Sequence, residues 1–278
     1  MLQLTRKDIL LICLLLLLFF GLFFASRYLL GEFCWLVGLW FLLVVILAIQ
    51  LTIYRRIQHH LAQQSRERNL NYQQIEALFS IFSLIRPNHP LPVMRGWAAS
   101  PDFLASLISL IQERKPNTIL ETGSGVSTLV AGYILKDIGK GKIISLDHDE
   151  HYAENSTKEL KKHQLDNIAS VVYAPLKEYT ISGKKMLWYH TPLLNEIKLI
   201  DMLIVDGPPE STQKLARYPA LPLLIDSLSD DAVIILDDGN REGEQEIVKL
   251  WLAEFPGFIH QKIESEKGTV ILRRMKRG

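Results

Sequence analysis

The chain has 278 residues, room for one membrane element plus one full-sized domain, or for a single large domain. With 48% hydrophobic and 22% charged residues it is not a disordered chain. Its formal net charge is +1, and only three of the 31 basic and two of the 30 acidic residues precede Arg55, so the rest carries no basic field and no nucleic-acid partner is expected. The two cysteines, Cys13 and Cys34, both fall in the apolar N-terminal part. No disulfide framework or zinc cluster can be built from them, and a reducing cytosol suits the remainder.

Residues 9–25 (ILLICLLLLLFFGLFFA) contain no charge, and residues 33–49 (FCWLVGLWFLLVVILAI) are equally free of it. At about 1.5 Å of helical rise per residue, each run spans or nearly spans a hydrocarbon core of roughly 30 Å. Residues 26–32 join them, so the pattern predicts a two-helix transmembrane hairpin over residues 1–54. A cleavable signal peptide is the rival for the first run, but no A-x-A-like site follows it and the second run comes at once. Arg6 and Lys7 precede the first run and Arg55, Arg56, Arg66 and Arg68 follow the second, against Arg27 alone between them. Positive flanks stay inside. A multi-pass protein of the inner (cytoplasmic) membrane is therefore expected, with both termini and the following domain in the cytoplasm.

Residues 55–82 place Ile57, Leu61, Leu70, Ile75, Leu78, Phe79 and Phe82 at helical spacing, which predicts a helix or helix pair in a linker over residues 55–100. Pro87, Pro90 and Pro92 end it. Ser100-Pro101-Asp102 starts a further helix, with Ser100 as its cap and Pro101 in the first turn, running to Arg114. Short apolar strands then alternate with amphipathic helices. Strands are expected at residues 118–121, 142–147, 169–173, 202–206 and 232–237, and helices at 126–136, 150–163 and 242–255. Two last strands, 258–263 and 269–273, read as a hairpin closing one edge antiparallel. Such alternation predicts an α/β domain over residues 101–278, a mostly parallel sheet covered on both faces. Residues 176–200 are left as one long connection containing Trp188-Tyr189-His190, whose aromatics suit a sugar ring, an adenine face or packing on the sheet.

The run Leu120-Glu121-Thr122-Gly123-Ser124-Gly125-Val126-Ser127-Thr128 lies between the first of these strands and its helix. Glycines there serve a tight turn, or let a ligand approach the main chain. The next strand ends in Asp147, either a solvated strand end or an acceptor for both ribose hydroxyls of a nucleoside. A dinucleotide loop needs a third glycine so that a pyrophosphate can sit on the helix N-terminus; Thr128 stands there instead. Glu121 would repel phosphate yet could organise a cationic or amino-acid ligand. Asp206 ends the fourth strand (IDMLIVDGPPE) and Asp237-Asp238 the fifth (AVIILDDGNRE), where open α/β sheets line their ligand crevice. Three carboxylates converging there require a cation, a proton or a basic group.

The pattern E-x-G-x-G-x-S resembles the first motif of the class I S-adenosylmethionine-dependent methyltransferases, and the likeness covers roughly residues 101–274. It implies a Rossmann-like, doubly wound, seven-stranded sheet with S-adenosylmethionine as cofactor. The implied contacts are Glu121, Gly123, Ser124, Gly125, Ser127, Asp147, His148 and Ala174, with the loop against the methionine part and Asp147 on the ribose. In the branch similar to catechol O-methyltransferase, matching strand-end residues hold a divalent metal. The resemblance thus implies Mg²⁺ or Mn²⁺ at Asp206, Asp237 and Asp238 as one reading. The other is a metal-free site in which Asp206 or Asp238 is the general base. Asp238 replaces that branch's Asn, and Gly207-Pro208-Pro209 stands where it keeps a lysine. The segments DGPPE…ARYPALPLL and DDGNREGE also resemble a group of bacterial methyltransferases. Arg217 and Arg241 either clamp an anionic substrate group or pair with the aspartates. Asp206, Asp238 and Arg241 are the catalytic candidates.

The expected function is a membrane-anchored methyltransferase, O-directed, acting at the cytoplasmic face on a small-molecule, glycan or lipid-linked acceptor. Its rivals are a catalytically inactive membrane scaffold of the same fold and an NAD-dependent oxidoreductase. The missing third glycine and Glu121 count against the latter.

Overall fold

The computed structural model describes residues 6–275; both chain ends of the expected topology, residues 1–5 and 276–278, lie outside the described residues. Two compact units make up the chain, Met1–Asn69 and Leu70–Gly278.

α1 (Arg6–Leu30) leads through a single 3₁₀ turn at Gly31–Phe33 into α2 (Cys34–Leu84), whose residues 70–84 belong to the second unit. The connection expected at residues 26–32 is therefore mostly helix. Arg27 sits in the last turn of α1, where a cation complements the carbonyl end of the helix dipole. Phe19 of α1 lies against Phe41 of α2, ring centroids 4.9 Å apart, and Phe23 packs beside Gly38. α2 is one unbroken helix where the sequence allowed two, because no glycine or proline falls between residues 39 and 84. It stops two residues before Arg86-Pro87, since a residue ahead of proline resists the helical conformation. Within Trp35–Leu84 lies a stretch long and apolar enough to cross a membrane, exposing Leu36, Leu39, Leu43 and Leu47; Leu17–Leu29 is apolar but shorter.

The second unit is an α/β fold. After α3 (Pro101–Arg114) come β1 (Thr118–Thr122), α4 (Val126–Ile138), β2 (Lys142–Asp147), α5 (Glu150–Lys162) and β3 (Ala169–Tyr173). β4 (Leu176–Ile181), β5 (Lys184–Tyr189) and the single-turn α6 (Leu193–Glu196) precede β6 (Ile200–Val205). Then follow α7 (Ala220–Leu224), β7 (Leu228–Leu236), α8 (Glu242–Glu254), β8 (Phe258–Ile263) and β9 (Thr269–Arg274). Seven strands form one sheet in the order β3-β2-β1-β6-β7-β9-β8, parallel except that β9 runs antiparallel to both β7 and β8. The late antiparallel hairpin expected from the sequence is there. Ser100 does not cap α3 with its side chain; its hydroxyl turns to Asp102 Oδ1, which itself accepts the Phe103 N–H at 2.9 Å.

Strand alternation builds two cores. Ile119, Ile143, Met202, Ile204, Val233 and Ile235 face α3 and α4 through Phe103, Leu107, Leu129 and Ile134. Their neighbours Leu120, Leu146, Leu203, Val205, Ile234 and Leu236 pack on the other face with Trp188, Tyr218 and Trp251. A strand buried on both faces is apolar at most positions, so its ionisable residues fall towards its ends. The chain goes from β1 outward through β2 and β3, then returns to the opposite side of β1 for β6 and β7. The crevice of such a sheet opens at that reversal, beyond the carboxyl ends of β1 and β6.

Candidate active site

β1 and β2 are paired with Glu121 opposite Ser145 and Thr122 opposite Leu146, which sets the loop after β1 beside the end of β2. Gly123 has φ +95 and donates its N–H to the Leu146 carbonyl at 2.8 Å. A Cβ there would lie 3.3 Å from the Gly207 nitrogen, so both the turn and the close approach favour glycine. Around Gly125 the space for a side chain is open, and its N–H donates to Thr128 Oγ1 at 3.1 Å. The Thr128 hydroxyl donates in turn to Glu121 Oε2. Glu121 is fully buried, and its Oε1 has no partner. Burial pushes this carboxyl up to about 7, against the pull of the Ser127 and Thr128 hydroxyls, and nearby Asp147 adds to the rise.

Asp147 ends β2 and is also buried. Its Oδ2 accepts the Ser124 N–H at 3.1 Å and the Ser124 hydroxyl at 2.6 Å, and its Oδ1 accepts the Asp149 N–H at 3.1 Å. Ser156 Oγ stands 2.9 Å from Ser124 Oγ. His148 Nδ1 is 3.8 Å from Asp147 Oδ1, and the Ala174 N–H donates to the Asp147 carbonyl at 2.7 Å. The eight cofactor candidates of the sequence thus form one continuous patch along the ends of β1, β2 and β3.

Asp206 and Asp237 follow β6 and β7, anchored by N–H bonds to the Thr122 and Val205 carbonyls at 3.0 and 3.1 Å. Between them stands Arg217, 3% exposed. Its Nη2 lies 2.7 Å from Asp238 Oδ2 and 3.3 Å from Asp206 Oδ1; its Nη1 donates to the Asp237 carbonyl at 2.8 Å and lies 3.7 Å from Glu244 Oε1. Arg241, the third catalytic candidate, reaches Asp238 Oδ2 at 3.0 Å while staying 40% exposed. Lys267 Nζ is 3.9 Å from Asp237 Oδ2. Both arginines therefore pair with the aspartates. Asp238 has φ +60, a left-handed conformation that Asp and Asn tolerate better than most residues. Burial first, and the neighbouring aspartates second, push Asp206 well above the usual carboxylate range and raise Asp237; Arg217 pulls both down.

One oxygen each of Asp206, Asp237 and Asp238 lies within 4.8 Å of the others, a donor set chemically suited to a hard divalent cation. Such an ion would sit roughly 2.0–2.6 Å from its oxygens. Arg217 Nη2 lies between Asp238 Oδ2 and Asp206 Oδ1, so a metal held by those two oxygens does not fit with the guanidinium in place; Asp237 Oδ2 is buried and has no hydrogen-bond partner.

A cavity of about 370 Å³ opens over the glycine loop, lined among others by Val93, Trp97, Ser124, Gly125, Tyr152 and Asp206. Val93, Trp97 and Tyr152 are exposed. No periodicity or motif marks these three in the sequence. Tyr189 was legible only as part of a long connection; it ends β5, is fully buried, meets His148 edge-to-face and leaves its hydroxyl without a partner. A Cβ on Gly207 would collide with that hydroxyl. Burial, reinforced by Asp147, keeps the phenol protonated far above neutral pH. His190 lies apart: it is exposed and bonded to the Tyr179 hydroxyl.

Residues 120–239 match a family model described as a methyltransferase domain. Among solved structures, cofactor-bound Rv0187 from MTB superposes with a TM-score of 0.50 and 15% identity, over 73% of this chain and 89% of that one. An SAH-bound methyltransferase from Podospora anserina gives 0.49 and 17% identity, over 65% and 81%. An O-methyltransferase from Bacillus cereus in complex with SAH gives 0.47 and 17%, over 72% and 90%. At these identities the structural likeness is one of fold. No curated protein matches the chain. The family match and the loop motif agree. Residues 120–239 thus carry a methyltransferase domain on a Rossmann-like fold.

Glu121 yields a pH test. Its folded pKa is raised from 4.5 to about 7, so the native state keeps a proton that the unfolded chain releases. The stabilisation from this group is complete below about 4.5 and is lost as pH rises through about 7. The unfolding midpoint of the ligand-free, detergent-solubilised protein should therefore fall less steeply across that window in Glu121→Gln than in the parent. Identical slopes would show that Glu121 ionises normally.

Proposed function

We propose that the domain transfers the methyl group of S-adenosylmethionine to a hydroxyl oxygen of a small-molecule, glycan or lipid-linked acceptor at the cytoplasmic face of a membrane. The observation that carries this reading is the buried Glu121 with its free Oε1, set across the glycine loop from Asp147. Two such carboxylates favour a ligand bearing positive charge, an ammonium and a sulfonium, and disfavour the pyrophosphate of NAD. A purely structural scaffold would gain nothing from a buried carboxyl with an unpartnered oxygen, which costs stability. In this reading Glu121, Gly123, Ser124, Gly125 and Ser127 hold the methionine part, Asp147 accepts the ribose hydroxyls, and His148 and Ala174 flank the adenosine.

Bound S-adenosylmethionine supplies a methyl group on a positively charged sulfur, which departs as a neutral thioether. The chain's own task is positioning and proton removal. Asp206 lines the cavity and its proton affinity is raised, which suits a general base taking the acceptor's hydroxyl proton. Asp238 is engaged by two arginines through Oδ2. Arg241 keeps exposed donors for an anionic group on the acceptor. Val93, Trp97 and Tyr152 offer an apolar wall to the acceptor's body. The exposed apolar surface of α1 and α2 supports a membrane hairpin with both ends in the cytoplasm, where S-adenosylmethionine is found.

Calorimetric titration of the full chain with S-adenosylmethionine should show binding, and Asp147→Ala should weaken it by roughly 1.5–3 kcal/mol, because a ribose hydroxyl loses a charged acceptor. Equal affinity in parent and variant would remove Asp147 from the cofactor site. For topology, a reporter after Gly278 should behave as cytoplasmic and one inserted at residues 26–32 as external. A reporter after Gly278 that behaves as external would overturn the cytoplasmic placement.

A further inference from the structure

We propose that Arg217 is the built-in cation of the strand-end aspartates, holding the place a divalent metal would take among their oxygens, so that methyl transfer by this chain needs no metal. The proposal rests on the methyltransferase reading only for its catalytic half; the geometric half stands on the cluster alone.

Three features carry it. The guanidinium touches all three aspartates: Asp238 Oδ2 at 2.7 Å, Asp206 Oδ1 at 3.3 Å and the Asp237 carbonyl at 2.8 Å. A metal bound to the same carboxylate oxygens would overlap Nη2, so ion and guanidinium are alternatives. Arg217 is also fixed in its seat. It is 3% exposed, its carbonyl accepts the Ala220 N–H at 3.1 Å ahead of α7, and Glu244 of α8 closes its other side at 3.7 Å. Expelling it would strand a buried guanidinium without partners, at a cost that a surface arginine would not incur. Finally, the charges already answer one another. Arg217, Arg241 and Lys267 face Asp206, Asp237, Asp238 and Glu244, and a further double positive charge would meet three resident cations at close range.

The arrangement has a catalytic consequence. Arg217 engages Asp206 through Oδ1 alone, and among the described residues nothing bonds Oδ2. A fork pinned at three points fixes the orientation of that carboxylate while leaving one oxygen for the acceptor's proton. Arg217 is thus a positioning residue. It touches the base, and through the base the reaction.

The test titrates the full, detergent-solubilised chain with Mn²⁺ and follows the free ion by electron paramagnetic resonance, alongside methyl transfer from radiolabelled S-adenosylmethionine to a membrane extract. The parent protein should leave the free Mn²⁺ signal undiminished, and its methyl transfer should be indifferent to EDTA. Arg217→Met should take up Mn²⁺ in an EDTA-reversible way, since the oxygens are then released. Arg217→Lys keeps the charge and the fold but loses the fork; it should stay free of Mn²⁺ while turnover falls roughly 10²-fold, the usual loss for one preorganised donor. Stoichiometric Mn²⁺ binding by the parent that disappears in Asp237→Asn would overturn the proposal, as would methyl transfer abolished by EDTA and restored by Mg²⁺. If the parent methylates nothing, the methyltransferase reading fails, and the Mn²⁺ titration still decides the role of Arg217.

Discussion

Carboxylates crowded at the carboxyl edge of one parallel sheet are the constraint on which the rest of this domain depends. Glu121, Asp147, Asp206 and Asp237 each stand at or just beyond the end of a strand whose preceding residues are buried on both faces. Ionised together in a low-dielectric crevice, they would repel one another and lose their hydration. The structure meets this in two ways. On the β6–β7 side a buried guanidinium and two further cations neutralise the aspartates. On the β1–β2 side, among the described residues, no lysine or arginine pairs with the carboxylates: Asp147 is satisfied by backbone and serine donors, with His148 3.8 Å away, and Glu121 is held half-protonated near neutral pH. One half of the crevice carries its own positive charge; in the proposed function a cationic cofactor would supply it to the other.

Much of this was legible in the sequence, because strand ends are. The spans of β2, β3 and β8 agree with the apolar runs residue for residue, and the neighbouring elements differ by a few residues at their ends. Once the order of a doubly wound sheet is given, the last polar residue of each run must meet the others at one edge, which is why Asp147, Asp206, Asp237 and Asp238 gather as expected. The β4–β5 hairpin lies inside what the sequence presents as one long connection, although its turn carries a signal. Ser182-Gly183 separates two short runs, and both residues take positive φ, as a two-residue hairpin turn with the twist of its strands requires. Adjacent charged residues in each strand, Lys177-Glu178 and Lys184-Lys185, break the alternation that marks a half-buried strand.

Other features had no sequence signal at all. That Arg217 would stand at the centre of the aspartates, rather than at their rim like Arg241, follows from the path of residues 207–219 and not from any periodicity. The contact of Tyr189 with Gly207, and the cavity wall of Val93, Trp97 and Tyr152, join segments far apart in the chain that only the packed structure brings together. The same holds for Thr128. In the sequence it marked the absence of a third glycine; in the structure its hydroxyl links the Gly125 N–H to Glu121 and so positions the acid of the loop.

In the proposed function, the loop side of the crevice holds a proton in place of a positive charge until the cofactor arrives. Isothermal titration with S-adenosylmethionine near pH 7, repeated in two buffers of different ionisation enthalpy, measures it directly. Because Glu121 is poised at about 7, a cationic ligand should ionise it, and the heats should report release of a substantial fraction of one proton per bound cofactor, absent in Glu121→Gln. Binding with the same heat in both buffers would contradict the account.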